Sequence, residues 1–389
     1  MTGAGMQRMI EKAFFALLCF EIIGEELEDE LNNLITPEIL PALFKLAKRH
    51  DLAHLIGDAL DKNGLLEEGS EAQKRFLRER NMAVYRYEQI QYEFEQICDA
   101  LVKAEIAFIP LKGSVIRPLY PEPWMRTSCD IDILVKEENL SAAIEALGQR
   151  LNYHYESTGN HDAHLFAESG VHLELHYKLN PNDEQWNTVL TDIWEHVQNA
   201  ETYHCFLTQE MFYFYHVAHM AGHFKVGGCG VRSFLDLYLL RQHNRYNQET
   251  LSELLNKGGL TAFNNAMCAV SKCWFENGEK TDLVKAIENY VLYAGMYGDM
   301  KNRVAVAKAK KGGGKLLWSR IFMPYKSLKY QYPKLQKWPI LYPFYTIKRW
   351  LNLLKKDSRE RSLKELKETT SGDAEKQQRI AKLLEELAL

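Results

Sequence analysis

The run Asp130-Ile131-Asp132-Ile133-Leu134-Val135 constrains this chain more than any other stretch. β-Branched and aliphatic residues favour an extended strand, in which successive side chains leave opposite faces. Ile131, Ile133 and Val135 then enter a core, while Asp130 and Asp132 share the other face. Two carboxylates so placed repel unless a cation lies between them, and a hard divalent ion such as Mg²⁺, or Mn²⁺, prefers carboxylate oxygen. A second alternating run, Val171-His172-Leu173-Glu174-Leu175-His176, predicts a neighbouring strand with His172, Glu174 and His176 on one face. Glu174 is the expected third carboxylate, as metal ligand or as base. His176 faces a bound ligand or is a structural histidine.

Leu111-Lys112-Gly113-Ser114 precedes the first strand. Gly113 lets backbone approach a ligand closely, and Ser114 offers a hydroxyl and an amide near a predicted helix start. Lys112 and Arg126 are the nearest cations to meet a triphosphate, Arg126 through a bidentate fork. The alternative for both is pairing with Asp130 or Asp132 in the absence of ligand. Further on, His216, His219 and His223 lie at i, i+3 and i+7, so one helix face presents three imidazoles to an acceptor or cleft, to a metal, or to the packed interior. Arg232 and Asp236, at i and i+4, fit a helix ion pair or the same cleft.

Gly113-Ser114, the Asp130-x-Asp132 strand and the later acidic strand resemble the polymerase-beta-like nucleotidyltransferase superfamily. Within it, Leu111-Lys112-Gly113, Tyr120, Arg126 and the strand from Asp130 to Val135 are similar to a broad bacterial family of uncharacterised nucleotidyltransferases. The resemblance is densest over residues 105–180 and extends more weakly to the histidine helix and to Arg232 and Asp236. It implies a Mg²⁺-dependent enzyme moving an NMP from an NTP, with ATP favoured, to an acceptor, with release of pyrophosphate. Gly113 and Ser114 would hold the β- and γ-phosphates, and Asp130 and Asp132 the metal. The acceptor is left open among small molecule, peptide, protein and RNA. Two other classes stay open: a nucleotide-binding regulatory or scaffold protein without transfer activity, and an adaptor acting through a basic tail.

The expected fold is α+β and mostly helical, a small mixed-sheet core flanked by helical regions at both ends. Residues 1–104 form an N-terminal helical region ending in a long helix from about Glu71, 105–180 the catalytic core, 181–300 a helical domain closing the cleft, and 301–389 a basic, aromatic-rich segment with a final helix. Lys301 to Lys356 holds fifteen Lys or Arg and no Asp or Glu, so the net charge of −4 leaves about −19 on the rest of the chain. That stretch fits an anionic partner, nucleic acid or membrane surface, or the acidic remainder of the same protein. Lys310 to Lys315 reads as a flexible joint, its glycine spacing being wrong for a P-loop. Seven cysteines without paired metal spacing point to reduced thiols and a cytoplasmic setting. The apolar run Ala13 to Phe20 is short and bounded by Glu11 and Glu21, which predicts a buried helix and no integral membrane segment. Finally, like-charge repulsion predicts that Asp132→Asn leaves the metal-free protein as stable as before, or slightly more so.

Overall fold

The computed structural model describes residues 3–179, 184–199, 201–243, 245–295, 334–353 and 374–389, with 306, 323, 325, 328 and 332 as single positions. The expected joint at 310–315 and most of the basic stretch therefore lie outside the described residues. Four helices open the chain: α1 (Gly3–Ile23), α2 (Asp29–Leu34), α3 (Leu40–Arg49) and α4 (Ala53–Lys62). The apolar N-terminal run packs inward, with Ala13, Phe14, Leu17 and Leu18 fully buried. No helix among the described residues is long and apolar enough to cross a membrane.

Next comes α5 (Glu71–Lys103), of 33 residues, whose Ser70 cap accepts from the Gln73 amide. At about 1.5 Å per residue it runs roughly 50 Å. Phe76, Ala83, Ile90 and Ile97 are buried at seven-residue intervals, two turns apart, so one stripe of this largely polar helix faces the interior.

That stripe leads into a five-stranded mixed sheet. Its members are β1 (Phe108–Pro110), β2 (Asp130–Val135), β3 (His154–Thr158), β4 (Asp162–Phe166) and β5 (His172–His176). The spatial order is β1-β2-β5-β4-β3, with β2 and β5 parallel and the other pairs antiparallel. Between the strands come the single turn α6 (Gly113–Ile116) and the helix α7 (Leu140–Leu151). Gly170, at φ +83°, makes the turn between β4 and β5, a left-handed backbone that favours glycine.

One face of the sheet is apolar: Ile131, Ile133, Val135, Leu173, Leu175, Ala163 and Leu165 pack with Ile90, Ile97 and Leu101 of α5 and Ala143 and Leu147 of α7. Period-two alternation then sends Asp130, Asp132, His172, Glu174, His176 and His164 to the opposite face. The expected α+β, mostly helical architecture is what the chain adopts.

Beyond the sheet the chain departs at first from the helical domain expected over 181–300. It forms a single helical turn α8 (Asn187–Leu190), a 3-10 turn and a ribbon of β6 (Val197–Gln198) and β7 (Phe206–Leu207). Strands of two residues leave no periodicity to read. Helices then return as α9 (Gln209–Lys225), α10 (Val231–His243), α11 (Gln248–Lys257), α12 (Thr261–Phe275) and α13 (Asp282–Ala294).

The chain forms two compact units, Met1–His219 with Gly230–Glu288, and Met220–Cys229 with Asn289–Leu389. The second contains α14 (Lys334–Lys337), α15 (Tyr342–Leu353) and α16 (Ala374–Glu386), and a small cluster of Leu328, Leu335 and Tyr345. Trp338, Ile340, Phe344, Ile347 and Leu351 are exposed, the last three at helical spacing along α15.

Candidate active site

The carboxylates meet across the β2–β5 ladder. Asp130 pairs in register with His172 and Asp132 with Glu174, so the third carboxylate stands on the adjoining strand directly opposite the second. Asp132 is almost wholly buried, Asp130 and Glu174 half-buried. Burial and the Asp132 charge together raise the Asp130 pKa. Burial alone would raise Asp132 as well, yet Lys112 and His176 outweigh it and hold that carboxyl well below the usual range.

Lys112 supplies the nearest positive charge. Its Nζ lies 2.6 Å from Asp132 Oδ1 and 3.8 Å from Glu174 Oε2. Burial works against its ammonium, but Asp132 keeps it protonated beyond its ordinary range. The Lys112 backbone sits at φ +45°, ψ −116°, a sparsely populated conformation for a residue with a side chain. Such strain costs about 1–3 kcal/mol and persists only where the surroundings impose it. Here the chain must leave β1 and turn at once into α6, with Leu111 bonded through its amide to the Asp132 carbonyl at 3.0 Å.

His176 closes the other side. Its Nε2 lies 2.9 Å from Asp132 Oδ1 and 3.5 Å from Glu174 Oε2. Burial disfavours the imidazolium, but these two carboxylates carry its pKa above the ordinary value. The His176 hydrogen bond in turn lowers Glu174. Asp132, Glu174 and His176 present ligand atoms within 4.8 Å of one another. A hard divalent ion fits here: carboxylate oxygens from two strands converge where Lys112 already places positive charge.

Gly113 lies between two guanidinium groups. A Cβ at this position would stand 3.2 Å from Arg117 Nη2 and 3.4 Å from Arg126 Nη1. The Ser114 amide is bonded to the Leu111 carbonyl at 3.2 Å, which leaves the hydroxyl as its group for a ligand. Arg117, buried, bonds only neutral partners, the Arg126 carbonyl at 3.3 Å and the Ser128 hydroxyl, and makes no carboxylate ion pair among the described residues. Burial and the Arg126 charge push its pKa down to about 10. A buried guanidinium without a carboxylate is costly unless an anion comes to it.

Arg126 is differently engaged. Its Nη2 and Nε donate to Asp236 at 2.9 and 3.3 Å, and Tyr120 donates to the same carboxylate at 2.8 Å. All three are buried, so the fork expected to meet a triphosphate, or else Asp130 or Asp132, is closed on Asp236 of α10. Arg232 turns to Asp51 and to the Thr127 carbonyl, so the i, i+4 pair with Asp236 does not form.

The three helix histidines do not act as a set. His216 donates from Nε2 to the Ser233 carbonyl at 3.2 Å, beside the buried Asp236, and burial lowers its pKa. His219 packs near the Tyr215 ring at 6.2 Å between centroids, and His223 belongs to the second compact unit. None of them joins a metal-capable group among the described residues. Tyr215, for which the sequence carried no signal, is buried in the field of Lys112, Asp132 and Glu174, and burial raises its phenol.

The sequence model of a family described as "Uncharacterised nucleotidyltransferase" matches residues 39–276. The chain belongs to this nucleotidyltransferase family. The match runs from the start of α3 to the end of α12, well beyond the sheet, and takes in both the carboxylate face and the Arg126–Asp236 pair. No curated protein and no solved structure matches the chain. As a member of the family the protein is a transferase that acts on a nucleotide, and its acceptor is the open question.

Proposed function

We propose that this nucleotidyltransferase moves AMP from ATP to an acceptor nucleophile with release of pyrophosphate, using Mg²⁺ at Asp130, Asp132 and Glu174. The observation that carries the reading is the register pairing of Asp132 with Glu174 beside the turn Lys112-Gly113-Ser114. Mg²⁺ held by these carboxylates would neutralise charge at the α-phosphate and favour departure of pyrophosphate. Lys112, the internal counter-ion of the metal-free site, is then free to turn toward the triphosphate. Ser114 and Arg117 receive the β- and γ-phosphates across Gly113, and Arg126 with Asp236 fixes the wall from which Arg117 reaches. Glu174, hydrogen-bonded by His176, is placed either to complete the metal site or to take the acceptor proton.

The test is the fate of labelled ATP with Mg²⁺ and a cell extract. Label from the α-position on a single species supports the reading and identifies the acceptor; label from the γ-position alone makes the enzyme a kinase. A binding test runs beside it. Mg²⁺ and ATP together are expected to raise the melting temperature more than the sum of either alone, because the ion must replace Lys112 and the triphosphate gives the displaced ammonium a partner. Equal stabilisation by ATP in EDTA would rule out the metal-bridged site.

Arg117 gives the sharper residue test. Arg117→Ala is expected to weaken Mg-ATP binding by about 10- to 100-fold, the worth of one or two charge-assisted hydrogen bonds of about 1.5–3 kcal/mol in total. Arg117→Lys restores charge without the fork and recovers only part. Unchanged Mg-ATP melting shifts in both variants would return Arg117 to a purely structural role.

For the basic segment we propose an anionic partner. The exposed Trp338, Phe344, Ile347 and Leu351 beside lysines favour a surface with both charge and an apolar layer, as at an anionic lipid interface.

A further inference from the structure

The carboxylate face carries more imidazole than nucleotidyl transfer needs. His164 of β4 lies opposite Glu174, and His172 of β5 opposite Phe166 and Asp130, so both histidines adjoin the catalytic carboxylates. His164 Nδ1 and His172 Nε2 approach to 3.0 Å, and with Glu174 they present ligand atoms within 4.8 Å of one another. Ligands on a tetrahedral ion with bonds of about 2.1 Å lie about 3.4 Å apart, so side-chain rotations that close the wider gaps by about 1 Å bring the three onto one ion.

Two further features hold the rings. Asp162 Oδ1 stands 3.5 Å from His164 Nε2, on the far side of the ring from His172. A carboxylate there can accept from Nε2–H, which favours the tautomer whose Nδ1 lone pair faces the site, the usual support of a metal-bound histidine. The Phe166 ring stacks on His172 at 4.6 Å between centroids and 15° between planes, fixing the second imidazole. The hydrogen bond between the two rings accounts for their contact in the metal-free protein, but it does not account for the carboxylates of Asp162 and Glu174 that adjoin His164.

We propose that His164, His172 and Glu174 form a second cation site, taking a transition ion of the zinc class beside the magnesium carboxylates. Imidazole nitrogen favours such ions, whereas Mg²⁺ keeps to oxygen, so the two sites discriminate by chemistry although they share Glu174. Two nitrogens and one carboxylate leave a position open on the ion, as in catalytic rather than structural zinc sites. The proposal does not depend on which nucleotide or acceptor the enzyme uses.

The experiment titrates the full-length protein with Co²⁺, a coloured stand-in for Zn²⁺, in excess Mg²⁺ and without nucleotide. One equivalent is expected to bind with visible ligand-field bands and to be displaced by Zn²⁺. His164→Ala and His172→Gln should each weaken it at least about tenfold. Asp130→Asn should leave it in place while abolishing stabilisation by Mg-ATP, so that failure of this site and failure of the magnesium site are told apart. Melting curves in EDTA check that each variant is folded, and the wild-type spectrum is a test in itself. Absence of Co²⁺ binding to wild type would overturn the proposal. So would equal binding by both histidine variants, or loss on His161→Ala with retention in His164→Ala, which would move the ion to His161, Asp162 and His176.

Discussion

Asp132→Asn is expected to lower nucleotidyl transfer by several orders of magnitude and, in EDTA, to destabilise the protein by about 3–5 kcal/mol. The first effect follows from deleting an anionic ligand of the proposed ion. The second reverses the expectation from sequence, and the reason is Lys112. Repulsion between Asp130 and Asp132 dominates only if nothing positive lies near, but the Lys112 ammonium stands 2.6 Å from Asp132 and His176 2.9 Å from it. Removing the charge strands a lysine beside a half-buried Glu174 and leaves the buried His176 a neutral amide oxygen in place of a carboxylate. A melting curve in EDTA beside the labelled-ATP assay measures both. Retained transfer would remove Asp132 from catalysis, and unchanged stability would show that the Lys112 pair contributes nothing to the metal-free fold.

The largest effect on folding alone is expected at Asp236. Asp236→Asn should cost about 3–5 kcal/mol, because it leaves Arg126 charged and buried, against a total stability of about 5–15 kcal/mol for a typical domain. Burial alone would push the Asp236 carboxyl up; the Arg126 guanidinium outweighs it and holds it below the ordinary value. With a depressed native pKa, the contribution is fully present above about pH 4, the unfolded aspartate value, and is lost as pH falls from there through the native pKa. Urea unfolding across the acid range should therefore show a shallower loss in Asp236→Asn than in wild type. Replacing Arg126 and Asp236 together by Met and Leu should recover much of the stability, as apolar replacement of a whole buried pair often does. If the double variant also keeps full Mg-ATP binding, Arg126 does not shape the phosphate wall.

What the sequence revealed and what it hid follow from the range of the signals. The faces of β2 and β5 were legible because strand period two is local and unambiguous: Ile131 and Leu173 inward fixes Asp132 and Glu174 outward. The α5 helix was legible from spacing over many turns. The partner of Arg126 was not, because Asp236 lies 110 positions further along and no local pattern joins an arginine to a distant carboxylate. Arg117 gave no signal either, as its importance lies in which partners it lacks, a property of packing. The His164–His172 approach had a signal that went unused: an antiparallel hairpin turning at Ser169-Gly170 sets the register and brings the two imidazoles onto adjacent strands.

The β4–β5 hairpin also makes this site a matter of parity. Chemistry and core occupy alternate positions of the same strands, so an odd shift of β5 against β2 would set Leu173 or Leu175 opposite Asp132 and drive Glu174 toward Ile97 and Leu147. An even shift of two would keep the core face inward but set His172 or His176, in place of Glu174, opposite Asp132. Loop lengths on either side can drift in evolution or be edited by design, but within residues 171–176 an insertion of one residue that is not absorbed as a bulge is expected to displace the carboxylate face and the core face together.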